Sequence, residues 1–502
     1  ADDFFELGGH SLLATQAVSR LRDAFDVDIP LRTIFENPTV AGLAAVIDQG
    51  GNAAGPRIPR VAPGATIPLS LQQLGLWHSA YHLSESFASY NIPVELWLGG
   101  DLDRRALEHS LTELVATHAI LRTTFPELDG EPVQLISEES AVSLEMRHVT
   151  REQVGEIARA QALRPFSLKT EHPWRALLLC LGEKEHVLLL TLHHILTDGW
   201  SMDALNRQLG ELYAARKAEA ATEEQPPVRE LPVQYADYSA WQRNWLHSDE
   251  AHEQAAYWTD QLRDITPLWD RDIDPAHQEL HRGVRHRFTL PPDTTEALRA
   301  FAKAQDATLY MVMLTGFMQL LAKMSEKTDI AVGTPVAGRT RSELDEIIGY
   351  FAHIILIRAD LSGEPSAVEA VRRVRETVIS AFANQEVSIS SVSSELASTR
   401  YKGRVSLFQA HFSLTHESTR KATFADLDLR FEFTRVPNPF ANIDLELELF
   451  ERGDTLDAWL IYNEGMFRPA EIAALTTDLL DLYELMAAAS DGRQHEQKRK
   501  RI

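Results

Sequence analysis

One segment constrains this sequence more than any other. An apolar stretch at residues 186–192 runs directly into the polar sequence HHILTDGWS at residues 193–201. A continuous apolar run of this length predicts a strand that is buried on both faces. Placing two imidazoles and a carboxylate at the end of such a strand costs free energy, because polar groups lose their water on burial. These groups therefore either form a specific hydrogen-bonded network or carry out chemistry.

Strand geometry is expected to separate the two histidines of this run. Adjacent side chains of a regular strand point to opposite faces, so His193 and His194 should not both face one cavity. We expect one ring to reach the reactants and the other to support it. The same geometry argues against a shared metal ion, and no cysteine or third histidine follows at ligand spacing. The sequence thus predicts no metal site here.

Length and charge exclude several classes of protein. With 502 residues, the chain is too long for one hydrophobic core and should form two or more domains. Its 73 acidic residues exceed its 49 basic residues, for a formal charge of -24. This excess argues against nonspecific binding to nucleic acid or to an anionic membrane. The sequence shows no signal peptide and no apolar run long enough to span a bilayer, so we expect a cytoplasmic protein.

Composition divides the chain into distinct parts. Residues 1–48 have the helical periodicity of a small all-α unit, whereas residues 49–66 are rich in glycine and proline and predict a flexible linker. The remainder alternates helical patterns with apolar strands, which predicts an α/β architecture. Residues 494–502 contain KRKR and are expected to form a solvated basic tail.

The sequence DDFFELGGHSL at residues 2–12 resembles the phosphopantetheine attachment motif of peptidyl carrier domains. The resemblance implies that Ser11 carries a covalent 4'-phosphopantetheine arm. A helix N-terminus suits the phosphate of that arm through its free N–H groups and its dipole. An alternative interpretation makes Ser11 only a helix N-cap, and the two roles are compatible. The first helix of the carrier family is missing from this chain.

The histidine run matches the His-His-x-x-x-Asp-Gly signature of nonribosomal peptide synthetase condensation domains, which are similar in fold to chloramphenicol acetyltransferase. Further family motifs recur in order at residues 70–77, 118–125, 235–242, 348–353, 384–387 and 404–408. The chain departs from the family at Gln72, Gly75 and His353, where Ala, Arg and Asn are usual, and residues 384–387 lack the following Pro-Phe-Glu. The resemblance implies two lobes, at 67–242 and 243–493, with a tunnel between them.

The resemblance also implies a role for each residue of the site. His194 would take the amine proton, hydrogen-bond the attacking amine or stabilise the tetrahedral intermediate, and these roles stay open. His193 is expected to support it, and Gly199 to offer its backbone N–H near the reaction centre. Asp198 is expected to be structural and to pair with Arg339 of the second lobe.

The resemblance implies a carrier–condensation didomain that forms peptide bonds in antibiotic or siderophore assembly. The carrier on Ser11 would present an aminoacyl or peptidyl thioester, and a downstream carrier would present the acceptor amine. Implied partners are an upstream adenylation domain, downstream adenylation and carrier domains, and a phosphopantetheinyl transferase. An epimerisation domain and a catalytically silent recruitment module remain as alternatives, whereas a heterocyclisation domain is disfavoured by the intact histidines. Residues 198–201 favour a D-accepting type.

Overall fold

The structure, a computed structural model, describes residues 4, 11–49, 52–53, 57–82, 88, 90–219, 230–269, 283–389, 392, 408–416, 423–433 and 443–489. The predicted basic tail and residues 404–407 of the last motif lie outside these ranges. Within them, no single helix is both long and apolar enough to cross a bilayer. One helix pair, Pro292–Ala304 with Leu309–Ser325, meets the length and composition criteria only jointly and bends by 103° at its break.

The N-terminal unit contains the three helices that the periodicity predicts. Its elements are α1 (Ser11–Phe25), β1 (Val27–Asp28), α2 (Arg32–Glu36), α3 (Val40–Asp48) and β2 (Asn52–Ala53). Helix α1 begins at Ser11 itself rather than one residue later. Buried side chains of this unit, among them Val18 and Ile34, belong to the same apolar core as the second lobe. The carrier unit therefore packs against the rest of the chain.

The first lobe contains two sheets and the helices packed around them. Its elements are β3 (Ile67–Pro68), α4 (Leu71–His82), β4 (Asn91–Gly99), α5 (Arg104–Thr117), β5 (Thr123–Thr124), β6 (Glu127–Leu128), β7 (Glu131–Ile136), β8 (Glu145–His148), α6 (Arg151–Leu163), β9 (Trp174–Cys180), β10 (Glu185–His193), α7 (Gly199–Glu219) and α8 (Tyr235–Trp245). The small sheet has the order β3-β7-β5, with β6 also paired to β7.

Strand β10 lies inside the larger sheet, as its apolar sequence predicts. It pairs antiparallel with β4 on one side and with β9 on the other. Leu188, Leu190 and Leu192 enter one apolar core, whereas Val187 and Leu189 enter another on the opposite face. The prediction of a strand buried on both faces is confirmed, and its C-terminal end delivers the histidine run.

The second lobe has a mixed sheet with helices over one face. The elements that follow α8 along the chain are α9 (Asp249–Leu262), β11 (Gly283–Leu290), α10 (Pro292–Ala304), α11 (Leu309–Ser325), β12 (Asp329–Val336), β13 (His353–Asp360), α12 (Ala367–Ala383), β14 (Ala410–His416), β15 (Asp428–Phe433), β16 (Leu445–Arg452), β17 (Thr455–Asn463) and α13 (Pro469–Ala489). The sheet order is β11-β17-β16-β14-β12-β13. Alternate residues of β16, namely Leu445, Leu447 and Leu449, pack into the core that these helices share.

Strand β15 corrects the predicted division of the lobes at residue 243. The sequence places residues 428–433 in the second lobe, yet β15 hydrogen-bonds to β4 and forms an edge of the first-lobe sheet. Residues of the 344–351 stretch, such as Ile348 and Phe351, likewise pack into the first-lobe core. Helix α8 also runs past residue 242 without a break. The two lobes are therefore interlocked rather than consecutive.

The linker prediction needs a second correction, because part of the segment 49–66 is packed. Ile58 is 4% exposed, and its N–H donates to Glu343 Oε1 at 3.0 Å. The N–H of Val61 donates to Asp237 Oδ1 at 2.7 Å, and Arg60 donates to the other oxygen of Asp237 at 3.4 Å. Glycine and proline content does not reveal these hydrogen bonds, since they form with distant residues. Residues 57–61 are thus a docked strap.

The chain returns from the second lobe to the first to form β15, and this crossover passes close to Gly210 of α7. A Cβ at this position would lie 2.3 Å from Thr423 O and 3.1 Å from the Phe424 ring. We predict that Gly210→Ala lowers the free energy of unfolding by about 1–3 kcal/mol, because the crossover must move to make room. Urea denaturation measures the change.

Gly155→Ala is the matched control for this prediction. Gly155 lies in α6, and no atom comes within 4 Å of an added Cβ. Its substitution should stabilise the protein by about 0.5–1 kcal/mol, since alanine favours the helix. Equal effects of the two substitutions would contradict the proposed steric role of Gly210.

Candidate active site

The histidine run lies where β10 ends and a short turn begins. Strand β10 ends at His193, and residues His194–Leu196 form a 3-10 turn. The N–H of His194 donates to Tyr90 O at 2.8 Å. The prediction that strand alternation separates the two rings is wrong in its cause, because the strand does not continue through His194. The turn separates them instead.

His193 is buried and supports the turn. Its Nδ1 accepts a hydrogen bond of 3.1 Å from the N–H of Ile195, so its proton resides on Nε2. Burial, together with the nearby His194, lowers the pKa of His193 to about 3. The ring is therefore neutral in ordinary buffers, which agrees with a supporting part in the site.

His194 is half-buried and is the more accessible of the two rings. Its Nδ1 lies 2.7 Å from Thr197 O, and a carbonyl can only accept, so Nδ1 carries the proton. In the neutral ring, Nε2 then presents a lone pair. The Tyr350 ring packs beside the imidazole, with centroids 4.6 Å apart. This arrangement orients His194 to accept a proton or a hydrogen bond at Nε2.

The Asp198 carboxylate is bound mainly by backbone N–H groups. Oδ1 accepts from Ser201 at 2.7 Å, which caps the first turn of α7. Oδ2 accepts from Phe351 at 2.9 Å and from Ala352 at 3.1 Å. Arg339 Nη2 lies 3.6 Å from Oδ1, a distance longer than a hydrogen bond. The expected pairing with Arg339 is present as a buried charge contact, while the hydrogen bonds go to the backbone.

Ser201 joins the start of α7 to two groups of the second lobe, Arg339 and Gly349. Arg339 Nη2 donates to Ser201 Oγ at 2.7 Å, and this hydroxyl donates to Gly349 O at 2.6 Å. Arg339 also donates to Leu344 O, and its guanidinium lies 4.0 Å from the centre of the Phe351 ring. Burial lowers the pKa of Arg339, although Asp198 and other acidic neighbours oppose this shift. The sequence motif did not point to this role of Ser201, because its hydroxyl partners lie more than 130 residues away along the chain.

A second network joins three of the recurring motifs to the histidine turn. Tyr235 OH donates to Tyr350 O at 2.5 Å and lies 2.8 Å from Ser70 Oγ, which acts as the donor between these hydroxyls. Gln73 Nε2 donates to Ile195 O at 3.2 Å. A Cβ at Gly349 would lie 1.9 Å from the Tyr235 ring, so only glycine allows this packing.

Two of the residues that depart from the family pattern contact each other. Gln72 Nε2 lies 3.4 Å from His353 Nδ1, and Gln72 Oε1 accepts from Gln242 at 3.1 Å. His353 is buried, and its Nε2 donates to Gln385 O at 2.5 Å. The departures at 72 and 353 therefore form one contact between the lobes.

Gly199 is the first residue of α7 and is exposed. No atom lies within 4 Å of a Cβ built at this glycine, so the space beside it is open. The N–H groups of a first helical turn have no partner within the helix. This placement is compatible with the expected role for the Gly199 N–H.

Ser11 lies at the start of α1, where the attachment motif requires it. The first turn of this helix contains no acidic residue, so the turn itself places no carboxylate against a phosphate at its N-terminus. The helix start therefore fits the 4'-phosphopantetheine group. Residues 2, 3 and 5–10 of the motif lie outside the described residues.

Metal ligation finds no support in the part of the chain that the structure describes. No group of three or more His, Cys, Asp or Glu side chains there is arranged to hold an ion.

We predict that Asp198→Ala lowers the free energy of unfolding by about 3–5 kcal/mol, because it leaves Arg339 buried without its counter-charge. The N–H groups of Ser201, Phe351 and Ala352 would also lose their acceptor. Asp329→Ala is the matched control, since Asp329 also pairs with an arginine but is 40% exposed. The control should cost at most about 1 kcal/mol. A soluble Asp198→Ala variant of unchanged stability would contradict the structural role.

The lowered pKa of His193 predicts a pH dependence of stability. An unfolded histidine has a pKa of about 6.5, whereas the folded ring has a pKa of about 3. Between these values only the unfolded chain binds the proton, so stability falls as the pH falls below about 6.5. His193→Asn should remove about 2 kcal/mol of the loss between pH 7.5 and about pH 5, as measured by urea denaturation. The same change at exposed His252 should leave the pH profile unaltered, and parallel profiles for wild type and His193→Asn would overturn the prediction.

Comparison with known proteins places this geometry in a family. Residues 64–499 match the family described as "Condensation domain", and residues 1–47 match "Phosphopantetheine attachment site". One of the linear gramicidin synthase subunits from Brevibacillus parabrevis is 36% identical over 98% of this chain. The dimodular nonribosomal peptide synthase of Bacillus subtilis is 35% identical over 98% of it. The chain spans only 6% and 21%, respectively, of these two relatives.

Solved structures have the same fold. The X-domain from teicoplanin biosynthesis matches with a TM-score of 0.77 and 28% identity, covering 86% of this chain and 97% of that one. A complex of that X-domain with OxyB matches with a TM-score of 0.78, 28% identity and coverage of 87% and 97%. The chain therefore belongs to the condensation-domain family of nonribosomal peptide synthetases, and it joins a phosphopantetheine attachment site to a condensation domain.

Proposed function

We propose that this chain condenses a donor aminoacyl or peptidyl thioester carried on Ser11 with the amine of an acceptor held by a downstream carrier. The observation that supports this most directly is the half-exposed His194, whose Nδ1–H is occupied by Thr197 O. Its Nε2 is left to accept from an incoming amine. The predicted lobes and their tunnel would bring donor and acceptor to this ring.

The reaction requires little from the protein beyond placement and a proton acceptor. The phosphopantetheine arm, when bound, supplies a thioester carbonyl that is already activated. The acceptor nitrogen would bond to that carbonyl carbon, the C–S bond would break, and the amine proton would pass to the departing thiolate, which leaves as the thiol. His194 Nε2 is positioned to take the proton or to orient the amine, and correct placement alone can supply much of the rate.

Ser201 does not compete as a nucleophile. Its hydroxyl is buried, donates to Gly349 O, and accepts from both Arg339 and the Gly349 N–H. No lone pair or proton is left for an attack on a carbonyl. This agrees with a mechanism in which the acceptor amine attacks the thioester directly, without a covalent intermediate on this serine.

The proposed partners follow from this reaction. A phosphopantetheinyl transferase would modify Ser11, and an upstream adenylation domain would load its arm. A downstream adenylation domain and carrier would supply the acceptor. The proposed donor preference remains D-configured, on the basis of residues 198–201.

A second candidate function is recruitment of a partner enzyme. It is favoured by the similarity to the X-domain, which has been solved in complex with OxyB. Against it stands the arrangement of His194, a half-buried ring whose Nδ1–H is held by Thr197 O and whose Nε2 is oriented as an acceptor. An epimerisation domain is a further alternative, and it would exchange the α-proton of the Ser11-bound residue with solvent deuterium without forming an amide.

We predict that His194→Ala lowers the single-turnover rate of amide formation roughly 100-fold or more, because the proton acceptor is lost. The chain would be loaded at Ser11 with defined aminoacyl arms, mixed with a charged acceptor carrier, and followed by mass spectrometry. His252→Ala, an exposed histidine on α9, is the matched control and should react like wild type.

The same experiment distinguishes the alternatives. Absence of amide with every donor would contradict condensation, and tight binding of a partner enzyme without turnover would then support recruitment. Deuterium at the α-carbon without a new amide would support epimerisation. Full activity of His194→Ala would remove this ring from the mechanism.

A further inference from the structure

One loop of the second lobe contacts the active site, the carrier and the linker. Residues 341–349, here named the bridge segment, connect the neighbourhood of Arg339 to Tyr350. Several of its residues pack in the first-lobe core, although the segment belongs to the second lobe by sequence. The bridge segment therefore lies between the carrier and the active site.

On one side, the bridge segment hydrogen-bonds to the start of α7. Trp200 Nε1 donates to Asp345 O at 2.9 Å. Ser201 Oγ donates to Gly349 O at 2.6 Å and accepts from the Gly349 N–H at 3.1 Å. Tyr350, the next residue, packs against His194. A shift of the bridge segment would therefore act directly on the catalytic turn.

On the other side, the bridge segment contacts the carrier helix α1. Ser342 Oγ donates to the Asp23 carboxylate. Asp345 Oδ2 lies 3.8 Å from Arg20 Nη2, and the Asp345 side chain is 17% exposed. Asp345 thus binds the carrier through its carboxylate and Trp200 through its carbonyl.

The docked strap adds a third contact. The N–H of Ile58 donates to Glu343 Oε1, and Ile58 itself packs in the first-lobe core. The strap therefore holds the bridge segment from a part of the chain that directly follows the carrier.

We propose that the docked carrier positions the catalytic turn through the bridge segment, in addition to delivering the donor. This inference rests on the proposed condensation function. Asp345 is the central positioning residue, since its carboxylate contacts α1 and its carbonyl contacts Trp200. Exposed ion pairs are individually weak, so the expected effect on rate is modest.

The test uses a chain whose carrier can no longer deliver a donor but still docks on the bridge segment. In a Ser11→Ala chain the carrier cannot hold a donor, so a soluble aminoacyl N-acetylcysteamine thioester would serve instead. Adding Arg20→Ala and Asp23→Ala should lower kcat about threefold to fivefold while KM for the soluble donor stays the same. The charge swap Arg20→Asp with Asp345→Arg should restore much of the kcat that Arg20→Asp alone removes.

Lys323→Ala is the matched control, because Lys323 forms an exposed ion pair with Asp478. It should leave kcat unchanged. Hydrogen–deuterium exchange gives a readout that is independent of activity. The Phe351 and Ala352 amides, which bind Asp198, should exchange faster in the Arg20→Ala, Asp23→Ala variant than in its parent.

The proposal requires both the lower kcat and the faster exchange. A loss confined to the carrier-borne donor would mean that the carrier only delivers, and would overturn it. Unchanged exchange at residues 351 and 352 would overturn it as well. If the parent forms no amide from the soluble donor and the wild-type chain forms none from a carrier-borne donor, the condensation function fails, whereas the exchange measurement still decides whether the carrier positions the turn.

Discussion

The Asp198 carboxylate is the interaction on which the rest of the site depends. It accepts hydrogen bonds from the backbone N–H of Ser201 in α7 and from those of Phe351 and Ala352 in the second lobe. These donors are fixed in the backbone, so they satisfy the buried charge only when the two lobes meet in one arrangement. His194 lies four residues before Asp198, and its ring contact with Tyr350 follows from the same arrangement. Lobe assembly and catalytic geometry therefore have a common cause.

The two histidines show how one short sequence can supply a support and a reactive group. Burial and the Ile195 N–H keep His193 neutral with its proton on Nε2. The Thr197 carbonyl fixes the opposite tautomer on His194. Neither assignment requires a charged partner. The backbone around the turn thus determines which nitrogen of each ring is available.

Local patterns in the sequence predicted the elements that carry the site, but they did not predict the contacts between distant parts of the chain. The apolar run of β10 and the helical periodicity of α1 predicted their structures, because each signal lies within the element. The pairing of β15 with β4 joins residues more than 300 positions apart and leaves no local trace. The Asp198 acceptor was recognised from its motif, but its donors at 351 and 352 are backbone groups that any residue carries. Likewise, glycine and proline content concealed the packing of Ile58.

The crossover of β15 also limits how such domains can be divided. If the chain were cut at residue 243, β4 would lose its outer neighbour and expose a row of unpaired N–H and C=O groups. Such an edge invites pairing with other chains. An exchange of lobes between relatives would therefore have to transfer residues 423–433 together with the first lobe. The first lobe is therefore built from separate stretches of the chain, and an exchange must keep these stretches together.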